Sequence, residues 1–480
     1  MTDAAVDPAP NPSASGSKST ALDRCRGRAV TIMGLGLFGG GVGAARAFAR
    51  RGARVTVTDL KPAEALAPSV EALQGLPVAL HLGGHEAPDF TGADILVVNP
   101  AVPKTSSYLA MAREAGAEIT AEMTLFAGAC PAPLVGVTGS AGKSTTTALL
   151  GAMLARSRTT RVGGNIGKSL LEELPRIRPD ETIVLEMSSF QLQDLGPHGI
   201  SPHAAVVTNV TPNHLDRHGS MAAYIDAKKN ILRFQGPDDL AVLNADDPEV
   251  RTWAEETAGR VLLYSLHGPV EAGGFLDGAE VVLRAGEQED RIDLAGGLRL
   301  RGRHNLANAV AAAVAARALG TSPDQVRDAA VAFEPLPHRL QPVGTVGGVQ
   351  FIDDSKATTP RAAAVAMDAL AEPVVLIAGG YDKHLDPAPL VEAVRRRGRG
   401  VVLIGATAPA LAEAIGSKGP ARARADDLPS AVQEATRMAR PGDVVLLAPG
   451  HASWDMFENY AHRGDVFRRA VADLAGKGSP

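Results

Sequence analysis

The stretch Leu134–Leu150, LVGVTGSAGKSTTTALL, constrains this chain more than any other. An apolar run from Leu134 to Val137 leads into the glycine turn Gly139-Ser140-Ala141-Gly142. Lys143-Ser144-Thr145 then opens a helix. In a strand–glycine loop–helix unit, backbone N–H groups approach a phosphate closely and the helix start adds partial positive charge. Lys143 supplies a full charge for terminal phosphates, and the Ser144 hydroxyl suits a magnesium ion. The loop is a compact variant. Only Ser140 and Ala141 separate its glycines, and Val137 stands where the common P-loop has its first glycine. The ordinary P-loop NTPases are therefore not its best match.

At 480 residues with 45% hydrophobic content, the chain has the length of about three domains. A net charge of -5 carries no basic excess, so no nucleic-acid partner is expected and phosphate binding must come from a local site. Cys25 and Cys130 form neither a metal nor a disulfide pattern, which points to a reducing, cytoplasmic setting. No apolar run approaches a membrane span, so no membrane insertion is expected, and no signal layout opens the chain. Residues 1–22, rich in Pro, Ser, Ala and Asp, read as a disordered tail.

The first domain is expected over residues 23–132. Ala29–Met33 reads as a buried strand, Gly34-Leu35-Gly36-Leu37-Phe38-Gly39 as a GxGxxG turn, and the alanine-rich run to Arg51 as a helix. A second strand ends in Asp59, 20 residues after Gly39. This βαβ pattern predicts a Rossmann-like unit with an acid placed for a ribose hydroxyl. A scaffold without ligand remains the other reading.

The central domain is expected over residues 133–336 as a P-loop ATPase-like α/β unit. Its strand Thr182–Leu185 ends in Glu186, and an acid at a strand end beside a P-loop commonly serves magnesium. Asn165 lies in the turn GGNIG, and the loop TNVTPNHLDRHG carries His214, Asp216, Arg217 and His218. The helix from Met221 carries Tyr224 and Lys228, and on the residues alone Lys228 reads as a surface lysine. Asn305 and Asn308, three apart, share one helix face; they suit either the edge of a base or a helix cap.

The third domain, residues 337–480, reads as another Rossmann-like α/β unit. Arg339 brings a cation to its start, the strand before Asp354 opens on Asp354-Ser355-Lys356-Ala357-Thr358, and Pro373–Ala378 leads to Gly379-Gly380-Tyr381-Asp382-Lys383. The last loop holds Ser453 and Trp454. In open α/β sheets, polar groups beyond the strand ends are where ligands bind.

TGSAGKST, GGNIG, LEMSSFQL, TNVTPNHLDRHG, LNADDP, RHNLANA, PHR and DDSKATTP occur in an order that resembles the Mur ligases, from about residue 27 to the end. DSKAT with GGYDK is similar to the members that add D-glutamate to UDP-N-acetylmuramoyl-L-alanine. The resemblance implies a cytoplasmic, ATP-driven amide ligase of peptidoglycan precursor synthesis, acting on small-molecule substrates, with a monomer as default. Gly139, Ser140, Ala141, Gly142, Lys143, Ser144 and Thr145 would cradle ATP. Asn305 and Asn308 would read adenine, Asp354 the ribose and Arg339 the γ-phosphate.

By the same resemblance, Ser144 and Glu186 would hold one magnesium ion, and His214 with a CO2-derived carbamate on Lys228 a second. Lys143, Glu186, His214 and Lys228 would then form the catalytic set. Leu37, Phe38, Asp59, Leu60, Lys61 and Gly83 would bind the uridine diphosphate, and Asn165 with His214 the rest of that substrate. Lys356, Thr358, Lys383, Ser453, Trp454 and Tyr460 would hold D-glutamate. Three departures stand out: Ser140-Ala141 in place of Thr-Asn, and Tyr381 and Trp454 where smaller acidic and aliphatic residues are common. A related Mur ligase or a folylpolyglutamate synthase is the near alternative. An NAD-dependent dehydrogenase leaves the P-loop without a role, and no NKxD-type loop supports a GTPase.

Overall fold

The computed structural model describes residues 20–477 apart from Phe38, Lys168, 286–287 and 295–296. Its described residues form three sheets within a mixed α/β chain. By internal contacts the chain divides into two compact units. One holds the residues up to Ser140 with Arg158–Ala241 and Thr252–Arg260; the other holds Ala141–Ser157, Val242–Arg251 and the residues from Val261. Residues 23–132 thus fall in the first unit and 337–480 in the second, while 133–336 contribute to both. Of the expected tail, only Thr20–Leu22 are described. They sit in a turn, Thr20 bonded to the Asp23 carboxylate, with Ala21 and Leu22 buried.

The first unit opens on five parallel strands. Across the sheet they run Val78–Leu82, Arg54–Asp59, Ala29–Met33, Ile95–Val98 and Glu118–Thr120. Strand order reverses between Ala29–Met33 and Ile95–Val98, which opens a crevice beyond their carboxyl ends, where Gly34 begins the glycine turn. The same unit has four more parallel strands, in the order Thr160–Gly164, Thr182–Glu186, Leu134–Thr138, Ala204–Val207. Every residue of Leu134–Thr138 and Thr182–Glu186 is buried, as expected of parallel strands covered on both faces. The helix Ser189–Leu195 begins at a capping box: Ser188 accepts from Gln191 N–H while the Gln191 side chain accepts from Ser188 N–H.

In the second unit, Gly273–Asp277, Glu280–Ala285 and Gln288–Asp293 form an antiparallel meander. The helices Lys143–Leu154 and Arg303–Ala318 pack together. The C-terminal sheet runs Gln341–Val346, Val349–Asp353, Val444–Leu447, Val374–Gly379, Gly398–Ile404, Ala421–Arg424, parallel except for its first strand. Alternation divides its core between two faces. Val374 and Leu376 join Val444 and Leu446 on one, and Val375 and Ile377 join Val445 and Leu447 on the other. Among the described residues no helix is long and apolar enough to cross a membrane.

Candidate active site

The phosphate loop leaves the buried strand Leu134–Thr138 at Gly139. There φ is 149° and a Cβ would run into the Thr208 hydroxyl, so only glycine fits. Ser140 is braced inside the protein. Its N–H donates to Asn209 O at 2.8 Å, and its hydroxyl donates to Thr211 O and accepts from Thr211 N–H, both at 2.9 Å. The Tyr224 hydroxyl lies 2.9 Å from the same oxygen. The side chain of Ser140 thus ties the loop to its neighbours rather than projecting from it.

Lys228 is buried, and the surface reading of that residue is corrected. Only 1% of it is exposed, because the helix Met221–Lys229 turns that face inward with Tyr224 and Ala227. Its Nζ donates to Gly139 O at 2.9 Å and Thr138 Oγ1 at 3.3 Å, and lies 4.8 Å over the Tyr224 ring. Glu186, 3% exposed, accepts from Asn165 Nδ2 on Oε1 at 2.8 Å, and its Oε2 is buried without a hydrogen-bond partner. Such an orphaned buried oxygen is costly unless a donor or a cation meets it. Asn165 accordingly orients Glu186. Among the described residues no three His, Cys, Asp or Glu side chains gather to hold a metal. The unmet Glu186 Oε2 is a hard oxygen donor of the kind magnesium takes.

His214 caps the short helix Leu215–His218 in the left-handed region, φ 55°, with its ring 5.3 Å from that of Phe190. Phe190 also stacks on His218 at 4.8 Å and 5°, and takes the Arg217 guanidinium at 5.0 Å on its ring. His218 Nε2 meets Ser189 Oγ at 2.9 Å, and burial, with Lys228 and Arg217 adding to it, holds the imidazole below its usual pKa and neutral. Arg217 also donates to Pro100 O at 3.2 Å, fastening this loop to the one after Ile95–Val98. Ser189, Phe190 and Tyr224 carry no sequence signal beyond lying in LEMSSFQL and ahead of Lys228.

In the Rossmann-like part, Asp59 faces its own loops: Oδ2 accepts from Gly36 N–H at 3.2 Å and Oδ1 from Lys61 N–H at 2.9 Å. Gly83 N–H donates to Asp59 O at 2.9 Å. Leu37 and Leu60 are apolar yet exposed there, which suits the face of a base. Phe38 lies outside the described residues.

In the second unit, Gly142 caps the helix Lys143–Leu154 at φ 84°, and a Cβ there would run into the Asn308 amide. Asn308 Nδ2 donates to Asn305 Oδ1 at 3.2 Å and Asn305 Nδ2 to Arg301 O at 2.8 Å, so the two amides do share a face and form a ladder against the loop. Ser144 and Thr145 are buried in the first turn, and Arg339 Nη2 reaches Ser144 Oγ at 3.4 Å. Arg339 is presented by a turn in which His338 (φ 60°) and Leu340 (φ 43°) are both left-handed, held by His338 Nδ1 on Asp353 Oδ2 at 2.7 Å. Asp354, 8% exposed, accepts from Leu340 N–H at 3.1 Å. Burial pushes its carboxyl up to about 7 against the pull of Arg339.

Lys356, Lys383 and Ser453 stand beyond the ends of Val349–Asp353, Val374–Gly379 and Val444–Leu447, three neighbouring parallel strands. Lys356 Nζ lies 5.3 Å over the Tyr460 ring and Lys383 Nζ 4.8 Å over Trp454. Thr358 donates its N–H to Lys356 O at 2.9 Å. Beneath them is Arg463, fully buried and unnoticed from the sequence. It donates to Ser355 Oγ at 3.0 Å, Ser355 O at 2.8 Å and His451 O at 3.1 Å. Burial lowers its pKa to about 10, still cationic at neutral pH.

A glycine loop that opens a helix on Lys-Ser-Thr, with a buried acid ending a strand of the P-loop sheet, defines a P-loop nucleotide-binding α/β protein. The family models narrow this. The Mur ligase MurD-like N-terminal domain matches residues 28–121, the Mur ligase middle domain 137–316, and the Mur ligase glutamate ligase domain 338–451. A UDP-N-acetylmuramoylalanine--D-glutamate ligase of Roseiflexus sp. (strain RS-1) is 45% identical over 93% of this chain and 98% of its own. One of the same name from Symbiobacterium thermophilum is 42% identical over 93% and 98%. This chain belongs to the Mur ligase family. Solved structures share the fold: UDP-N-acetylmuramate-alanine ligase MurC of Thermotoga maritima has a TM-score of 0.61 at 18% identity over 93% of this chain and 99% of its own. MurF ligase of Thermotoga maritima, in complex with ADP, has 0.59 at 19% over 95% and 97%.

Proposed function

We propose that this chain joins D-glutamate to UDP-N-acetylmuramoyl-L-alanine at the expense of ATP, in the cytoplasm and as a monomer. The observation that carries the reading is the 45% identity, along nearly the whole of both chains, to a ligase named for that reaction. A carboxylate oxygen of the alanyl group attacks the γ-phosphorus of ATP; the bond to the β-bridging oxygen breaks, leaving an acyl phosphate and ADP. The glutamate amine then attacks the carbonyl carbon and loses a proton, and phosphate departs with the C–O bond. Lys143 and Arg339 offset the charge that gathers between two anions. Magnesium, held through Ser144 and Glu186 and through His214 and a carbamate on Lys228, would supply further charge neutralisation. The buried orphan oxygen of Glu186 supports a cation there. The buried Lys228 amine needs a carbamate before it can serve as an anionic ligand.

Asn305, Asn308 and Asp354 are proposed to hold adenosine, Leu37, Leu60, Lys61 and Gly83 the uridine diphosphate, and Lys356, Thr358, Lys383, Ser453 and Tyr460 the glutamate. The test follows ADP release by the full chain with ATP, magnesium, UDP-N-acetylmuramoyl-L-alanine and one amino acid at a time. D-glutamate is expected to support turnover; preference for L-alanine, L-lysine or meso-diaminopimelate would overturn the assignment.

A further inference from the structure

Two large aromatic side chains in the second unit lie outside any core. Trp454 is 63% exposed and Tyr381 43%, with ring centroids 5.4 Å apart and planes at 54°. A cation is seated on the larger ring, Lys383 Nζ at 4.8 Å from its centroid.

The platform beneath them is stiff. Tyr381 N–H donates to Ala452 O and Gly379 N–H to Pro449 O, each at 2.9 Å. A Cβ on Gly380 would run into Ala452 O, so the two loops meet backbone to backbone. Asp455 Oδ2 accepts from Ala406 N–H at 2.9 Å, and Arg463 holds His451 O from below. A ring on such a base is a fixed surface, whereas a lysine stem is flexible.

We propose that Trp454, with Tyr381 packed against it, is a positioning residue that seats the Lys383 ammonium for the carboxylate of the incoming amino acid, and so sets the affinity for that substrate. The inference rests on the D-glutamate reading. An indole face attracts a cation through its quadrupole, and Trp does so best among the aromatic residues. A ring face holds an ammonium without taking its proton or adding a formal negative charge. Ordering the stem before the substrate arrives removes part of the entropy cost of binding. The neighbouring pair, Lys356 over the Tyr460 ring, repeats the device with a weaker ring.

The test uses the full chain with all substrates. Trp454→Ala is expected to raise KM for D-glutamate about fivefold, the size of one exposed to half-desolvated cation–π contact. The kcat and the KM for ATP should stay within about twofold, and Trp454→Phe should recover most of the loss. An unchanged D-glutamate KM, or a Phe variant as poor as Ala, would overturn the proposal. A second readout needs no turnover. The chain has two tryptophans, and Trp253 is fully buried, so emission quenched by acrylamide reports Trp454. Lys383→Met should increase that quenching; no change would mean the lysine does not sit on the ring. If D-glutamate supports no ADP release in the unaltered chain while Lys383→Met still changes the quenching, the functional reading fails and the seat remains.

Discussion

Asp354 shows how one buried carboxyl sets a pH response. Its pKa rises from 3.8 to about 7, mainly through burial. Between those values the folded chain keeps a proton that the unfolded chain has lost, so this group's contribution to stability falls as pH rises through the window. In the proposed role of Asp354, a ribose hydroxyl would donate to the ionised carboxylate. ATP affinity should therefore increase from about pH 6 to about pH 8, seen as a falling KM, because the group ionises near 7. Asp354→Asn should flatten that part of the profile. Lys228 makes a different claim at the same scale. Lys228→Ala removes the bonds to Gly139 and Thr138 as well as any carbamate, and should lower kcat by about 100-fold or more. Partial rescue by acetate is expected if the missing group is an anionic ligand, and its absence would return Lys228 to a bracing role.

The elements matter because loops far apart in sequence meet only through strand order. Val444–Leu447 lies between Val349–Asp353 and Val374–Gly379, so the loops carrying Lys356, Lys383 and Ser453 leave neighbouring strands. Arg463, in the helix Tyr460–Lys477, bonds two of those loops at once. Arg463→Met keeps much of the volume but strands buried acceptors, and should cost about 3 kcal/mol in urea unfolding. Arg463→Lys keeps the charge without the planar fork and should recover only part of it. The strands themselves are legible as apolar runs: Ala29–Met33 and Thr182–Glu186 lie where the sequence pattern puts them. The partners of their loops are not, since hydrogen bonding across 108 residues leaves no local pattern. Asn165 illustrates the limit. Its glycine turn is readable, but its bond to Glu186 depends on two parallel strands lying side by side.

For the whole molecule, ligand binding and folding are one equilibrium. A nonhydrolysable ATP analogue at about 100 times its Kd should stabilise the folded chain by about 2.7 kcal/mol and raise the thermal midpoint by about 3 °C. Lys143→Ala should lose most of that shift and retain the shift produced by UDP-N-acetylmuramoyl-L-alanine. Equal shifts in both proteins would remove Lys143 from nucleotide binding. The sequence by itself determined the α/β class, the glycine loop between strand and helix, and the family, because each is written in local order: apolar run, glycine turn, helix start, and short motifs in series. Tertiary structure alone decided which groups are buried against protein and what each of them meets. It turned Lys228 inward, placed the Ser140 hydroxyl beside Tyr224, left one Glu186 oxygen unpaired and seated Lys383 on Trp454. Those outcomes depend on what lies across from each side chain in space, and distance along the chain does not encode that.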